Sequence, residues 1–145
     1  MRYAIQSMFT IVSLAAVGCL AMCYDYLDRQ PLLLKPYSME LRDEALKKGQ
    51  CVLVTIYGNW DIKTADPLRW LSHDVTRRIR RRSMLAMEAD WTNHASHVTA
   101  LMKELDVTTV PALALYAPTA PDKPTVISNL PDENRVLNVI DACCR

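Results

Sequence analysis

The sequence predicts an α/β domain, a mixed central sheet with helices on both faces, preceded by one apolar helix of membrane-spanning length. Three observations predict it. Strand-length apolar segments alternate with segments of helical periodicity from residue 38 onward, in the order α-β-α-β-α-β-β-α. The first strand candidate is a continuous apolar run, as expected of a strand covered on both faces. Residues 3–24 carry no charge at all.

Composition removes several classes of function. The chain has 145 residues, half of them hydrophobic, 23% charged, with a formal net charge of +1. That describes one ordinary domain with a small appendage. Three glycines against eight prolines argue against a glycine-rich phosphate-binding loop and against a hairpin-rich sandwich. The near-zero charge gives no electrostatic basis for binding nucleic acid.

Taken in order, the uncharged run from Tyr3 to Tyr24 is long enough, if helical, to cross a hydrocarbon layer of about 30 Å. Arg2 lies on one side of it and Asp25 and Asp28 on the other, so the positive-inside rule keeps the amino end in the cytoplasm and exports the rest. A retained signal-anchor and a signal peptide share this pattern, and lipidation of Cys19 is a third reading. No Ala-x-Ala cleavage box follows the run, which favours the anchor. Residues 25–37 read as a linker, with Pro31 and Pro36 opposing helix. The folded domain is expected over 38–145.

Within it, Ser38 is the expected N-cap of an amphipathic helix presenting Met39, Leu41, Ala45 and Leu46, which Gly49 ends. Cys51–Tyr57 is the central strand candidate. A mostly polar helical stretch spans 66–82, broken near Ser72-His73-Asp74, and 84–89 is a second strand. Val98, Leu101, Met102 and Leu105 give residues 95–105 a helical stripe. Pro111 opens a strand over 112–116, Thr125-Val126-Ile127 forms a short last strand, and Val136, Leu137, Val139 and Ile140 mark a closing helix over 132–143. A strand-helix-strand start implies a parallel pair with a right-handed crossover, and the last two strands imply a hairpin.

That outline is the thioredoxin fold. Three stretches add a resemblance to the C-terminal, periplasm-facing thioredoxin-like domain of the DsbD-type thiol:disulfide interchange proteins. Val54-Thr55-Ile56-Tyr57-Gly58-Asn59-Trp60 is similar to the family's first core strand and the tryptophan before its active site. Ala89-Asp90-Trp91-Thr92-Asn93, with Val98-Thr99-Ala100-Leu101, resembles its next strand exit and helix. Thr109-Val110-Pro111 falls at its cis-proline position, and Leu130-Pro131 before Val136-Leu137 resembles its final turn and helix. The resemblance covers about residues 49–142.

The departure from the family is chemical. Where the family has Cys-x-x-Cys-Lys after the tryptophan, Trp60 is followed by Asp61-Ile62-Lys63-Thr64-Ala65. Thiol–disulfide exchange needs a thiolate that attacks sulfur and a second thiol to resolve the mixed disulfide. A helix N-terminus stabilises such a thiolate, but Asp61 offers that position a carboxylate, and Thr64 resolves nothing. Asp61 reads as a helix N-cap worth about 1 kcal/mol, with Asp66 before Pro67 as a competing cap.

Five cysteines leave at least one unpaired within the chain. Cys19 and Cys23 lie in the apolar run. In the thioredoxin outline Cys51 and the pair Cys143–Cys144 fall at the sheet end away from the active-site loop, so a bridge from Cys51 to Cys143 or to Cys144 is conceivable.

Arg77-Arg78-Ile79-Arg80-Arg81-Arg82 reads as a solvated helix end, where the dipole favours cations; anionic headgroups and a partner's acidic patch are the other readings. His94 and His97 have a spacing that suits zinc, but no third ligand accompanies them or His73, so they are expected to face solvent.

The expected protein is thus a single-pass protein of the cytoplasmic membrane with its domain on the periplasmic side, needing no metal or cofactor. Its expected binding groove comprises Trp60, Ile62, Val110 and Pro111. The residue before the proline can pair with an extended protein or peptide partner as an added strand would. Two alternatives stand beside this: an oxidoreductase working through Cys51, Cys143 or Cys144, and an accessory subunit of a membrane complex.

Overall fold

The computed structural model describes residues 18–19, 22–23, 31–60, 71–128 and 132–143. The chain forms two compact units, Met1–Pro31 and Leu32–Arg145. In the first, the described residues Gly18, Cys19, Met22 and Cys23 are helical and exposed. The rest of the expected apolar span lies outside the described residues, among which no helix is long and apolar enough to cross a membrane.

In the second unit the order is β1 (Lys35–Pro36), α1 (Met39–Lys47), β2 (Val52–Tyr57), α2 (His73–Arg81), β3 (Leu85–Asp90), α3 (Ser96–Glu104), β4 (Ala112–Ala117), β5 (Ala120–Ser128) and α4 (Glu133–Cys143). The sheet order is β1-β3-β2-β4-β5. β3 pairs parallel with β1 and β2, while β4 pairs antiparallel with β2 and β5. β2 therefore has a neighbour on each side, and its first five residues are buried.

Because strand side chains alternate between faces, β2 and β4 feed two cores. Val52, Val54 and Ile56 join Ala112, Ala114 and Tyr116 under α1 and α3, against Ala45, Leu46, Val98, Leu101 and Met102. Leu53, Leu113 and Leu115 face α2 and α4, against Val75, Ile79, Val136 and Ile140. The apolar stripe of α2 is only Val75 and Ile79, extended by Leu71 just ahead of its cap at the same four-residue spacing, which is enough to seat a helix whose other positions are polar.

Ser38 caps α1, its Oγ accepting from the Leu41 N–H at 3.3 Å. Gly49 follows the helix with φ +77°, the left-handed position glycine occupies without strain. The expected break near Ser72-His73-Asp74 is the start of α2: Ser72 Oγ accepts from the Val75 N–H at 3.2 Å and donates to Glu133 at the start of α4 at 2.7 Å. Toward the other end of α2, Arg78 pairs with Asp141 of α4 and Arg82 reaches the same carboxylate at 3.4 Å, while Arg77 bonds Asp74 at 2.6 Å. Two of the five arginines, Arg78 and Arg82, thus tie α2 to α4 through one carboxylate, while the run still ends in exposed residues, Arg81 and Arg82, as expected of a solvated helix end. Asp141 is held below its ordinary value, chiefly by the hydrogen bond from Arg78.

Three expectations are corrected. Lys35 and Pro36, read as linker, pair with Met87 and Glu88 as an edge strand; two residues beside a proline carry no periodicity that could reveal it. The last strand is nine residues rather than three, because Pro121 and Pro124 lie on the sheet edge, where a missing N–H costs no ladder bond if it points outward. On α1, Met39 is half exposed and the buried face is completed by Arg42, 8% exposed.

Arg42 is buried because its charge is shared. Its Nε donates to Asp43 at 2.9 Å, and its Nη1 to Glu104 at 3.0 Å and to the phenol oxygens of Tyr37 and Tyr116 at 3.3 and 3.4 Å. The guanidinium also lies over the Tyr116 ring, 5.0 Å from its centroid. Burial works against its charge, but the Asp43 bond and the two phenols outweigh it and hold the group charged. Burial in turn pushes the Tyr116 phenol up to about 12, with Arg42 opposing, and raises Tyr37 in the same direction. An acid whose folded-state value lies above its unfolded one stabilises the fold below the unfolded value and loses that contribution as pH rises through the folded one. A stability loss on the order of 2 kcal/mol is therefore expected between about pH 10 and 12. Urea titrations at successive alkaline pH values would show it, and Tyr116→Phe should flatten the profile.

Candidate functional site

The exits of β2 and β3 and the entry to β4 meet at one end of the sheet, its Trp60 edge. β2 and β3 run parallel and in register up to Tyr57 and Asp90. β4 runs the other way, with Ala112 opposite Ile56, so Val110 and Pro111 arrive beside the segment leaving β2. The expected positions Trp60, Val110 and Pro111 thus belong to one edge. The Val110–Pro111 bond is cis. Pro111 is buried, Val110 half-buried, and Trp60 is 54% exposed. Asp61, Ile62 and Thr64 lie outside the described residues.

Trp60 is exposed but braced. Its indole stacks on the His94 ring, with centroids 5.8 Å apart and planes 21° from parallel, and meets Trp91 edge-on at 5.5 Å. Trp91 and His94 complete the triangle at 4.5 Å, close to perpendicular. Stacked and edge-to-face pairs of this kind contribute about 0.5–1.5 kcal/mol beyond their buried area. The turn after β3 holds its shape by its own hydrogen bonds: the His94 N–H donates to the Trp91 carbonyl at 2.9 Å, and the Trp91 indole N–H donates to Thr99 Oγ1 at 3.0 Å. His94 sits in the left-handed region, φ 51°, which histidine occupies more readily than branched residues.

The turn after β2 is tied to the same support. The Asn59 N–H donates to Thr92 Oγ1 at 2.9 Å, and the Thr92 hydroxyl and N–H both donate to Asp90 Oδ1, the latter at 2.8 Å. Gly58 lies directly beneath the indole: a Cβ there would overlap its Cη2, Cζ2 and Cζ3 atoms. Glycine at 58 is thus a condition for the ring's position. Asp90, Thr92, Asn59 and His94 were not expected in the site. The sequence held a partial signal for them, a second tryptophan directly after a strand.

Both histidines are exposed, as expected, but each also makes a ring contact. His94 forms part of the aromatic platform, and His97 stacks parallel to Tyr37, centroids 6.5 Å apart. Among the described residues no group of three His, Cys, Asp or Glu side chains converges as metal ligands would. A cleft of about 480 Å³ lined by Arg42, Asp43, Lys47, Glu104, Pro121 and Asp122, among others, shares no residue with the Trp60 edge.

At the opposite end of β2, Cys51 is buried and disulfide-bonded. Its Sγ lies 3.6 Å from the Cys143 carbonyl oxygen, yet Cys143 carries a free, half-buried thiol, which excludes a Cys51–Cys143 bridge. Cys144 lies outside the described residues.

A mixed sheet in the order β1-β3-β2-β4-β5, helices on both faces and a proline leading into the antiparallel strand beside the β2 exit define a thioredoxin-like α/β fold. The chain is similar to the C-terminal domain of DsbD from Neisseria meningitidis in its oxidised form, at 14% identity and TM-score 0.56 over 77% of this chain and 99% of that one. It is similar also to Trxlp of Edwardsiella tarda, at 17% identity and TM-score 0.54 over 78% of this chain and all of that one. A mutant thioredoxin of Halobacterium salinarum matches at 21% identity and TM-score 0.54 over 78% of this chain and 90% of that one. At these identities the shared property is the fold. No protein-family model matches the chain, and no curated protein does.

Proposed function

We propose that this is a thioredoxin-fold protein of the thiol:disulfide interchange type that has kept a polypeptide-binding edge and lost the exchange chemistry there, and that its apolar amino-terminal run holds it at the outer face of the cytoplasmic membrane. The observation that carries the binding reading is Trp60. Leaving an indole more than half exposed costs solubility, and here it is fixed by Gly58 beneath it and by Trp91 and His94 beside it. A rigid aromatic anchor at the centre of a contact surface is the usual form of a binding hot spot. Beside it, the backbone at Val110 supplies the strand-like pairing an extended segment uses. The sequence supports the loss of chemistry, since Asp61 and Thr64 stand at the spacing of an exchange dithiol. A carboxylate and a hydroxyl cannot cycle through a mixed disulfide.

The test is fluorescence anisotropy of a labelled, carboxymethylated, permanently unfolded polypeptide titrated with the protein. Trp60→Ala is expected to weaken binding about tenfold or more, with Trp60→Phe intermediate. Gly58→Ala, which evicts the ring from its seat, should behave like Trp60→Ala while leaving thermal stability nearly unchanged. Equal affinities across these variants would defeat the reading. Insulin reduction assayed in parallel separates it from the oxidoreductase alternative, which would place activity on Cys51, Cys143 or Cys144.

A further inference from the structure

The cleft of about 480 Å³ opens at the end of the sheet where β2 begins, between α1, the end of α3 and the β4–β5 turn. Arg42 of α1 lines it, with a side chain only 10% exposed. A guanidinium offers donors on all three of its nitrogens, and the protein engages two of those nitrogens: Nε donates to Asp43, and Nη1 to Glu104, Tyr37 and Tyr116. Nη2 has no acceptor among the described residues. A charged donor held by four neighbours in the wall of a cleft is a fixed point for an acceptor that the chain itself does not supply. We propose that the cleft binds a free α-amino acid with an apolar side chain, its carboxylate on Arg42 Nη2.

The charges around the cleft select this class of ligand. Two cations, Arg42 and Lys47, and three carboxylates, Asp43, Glu104 and Asp122, line it. The excess of carboxylates opposes a ligand that is only an anion, and a ligand that is only a cation leaves Nη2 unmatched. A molecule carrying both charges on one carbon satisfies the set. Its carboxylate takes the Nη2 donors, with the Lys47 ammonium as the second cation. Its ammonium takes the carboxylate oxygens that Arg42 leaves open: Glu104 accepts from Arg42 through Oε1 alone, and Asp122 is exposed on β5. The remaining wall is apolar, with Leu46 from α1 and Pro118 and Pro121 from beside the β4–β5 turn, and it receives the side chain of the ligand. Apolar walls with a few placed polar groups, in a space of this volume, are the usual composition of a small-molecule site. The polar groups are also set in advance, since Arg42 and Glu104 hold each other at 3.0 Å. The cleft shares no residue with the Trp60 edge, so this inference stands apart from the binding reading.

The test is a series of amide proton–nitrogen correlation spectra of the full chain in detergent, titrated separately with L-leucine, with isocaproate, which lacks the amine, with isoamylamine, which lacks the carboxylate, and with glycine, which lacks the apolar side chain. Leucine is expected to shift the amides around Arg42–Lys47, Glu104 and Pro118–Asp122 saturably and to leave the Trp60 indole N–H in place. The two single-charge analogues and glycine should each bind at least about tenfold more weakly. Lys47→Gln and Asp122→Asn, both at exposed positions, should each weaken leucine about fivefold or more at an unchanged unfolding temperature. Arg42→Lys should remove saturation where it folds, and the two exposed variants carry the test where it does not. No saturable shift with leucine up to about 10 mM, shifts scattered away from the cleft, isocaproate or isoamylamine as effective as leucine, or unchanged affinity in both exposed variants would each overturn the proposal. Trp60→Ala should bind leucine as the wild type does, which separates a failure here from a failure of the binding reading.

Discussion

Leu53→Ala is expected to destabilise the domain by about 3–5 kcal/mol, read as a lowered urea midpoint at unchanged slope. Leu53 has no exposed surface. It sits on β2 between Ala86 of β3 and Leu115 of β4, and faces the core formed with Val75, Ile79, Val136 and Ile140. Cavities collapse best where the surrounding backbone can move. Here the backbone is locked into ladders on both sides, and the helices above are fixed to each other through Ser72–Glu133 and Arg78–Asp141. The cost should therefore fall in the upper part of the range for leucine truncations. A loss below about 1 kcal/mol would mean that α2 and α4 settle onto the sheet more freely than these contacts allow. The same substitution should leave Trp60 binding intact, since Trp91 and Val110 pack against the other core.

Breaking the Cys51 disulfide is expected to cost about 2–5 kcal/mol, whether by reductant or by Cys51→Ser. The bond anchors the start of the central strand, at a residue 7% exposed. Such a cross-link acts mainly by restricting the unfolded chain. Reductant should therefore lower the urea midpoint of the wild type to that of Cys51→Ser and leave the variant where it is. Cys143→Ser should retain most of the stability, because Cys51 keeps a bond without it. A wild-type midpoint indifferent to reductant would contradict the expectation.

Much of the architecture was legible because periodicity records which faces are buried. The run Val52–Tyr57 announced a strand covered twice, and the stripe of Val98, Leu101 and Met102 announced α3. Ser38 and Gly49 announced both ends of α1. What escaped was set by neighbours distant in sequence. Lys35–Pro36 is a strand only because β3 offers it an edge. Arg42 is a core residue only because Tyr37, Glu104 and Tyr116 converge on it from three other segments. The long β5 was hidden by prolines that an edge strand tolerates.

The site divides the same way. Trp60, Val110 and Pro111 could be read as positions on one sheet edge, since strand order alone brings them there. The bracing of Trp60 by His94 and Trp91 could not, nor could the choice of Cys143 as the free thiol.

By itself, then, the sequence determined the α/β class, the strand and helix succession from residue 38 onward and the placing of Asp61 and Thr64, not cysteines, after Trp60. These are properties of local pattern and residue chemistry, which survive being read one segment at a time. The tertiary structure decided which exposed ring is held rigid, which charge is buried and which sulfur is bonded, because each depends on groups that only the folded sheet brings within a few ångströms of one another.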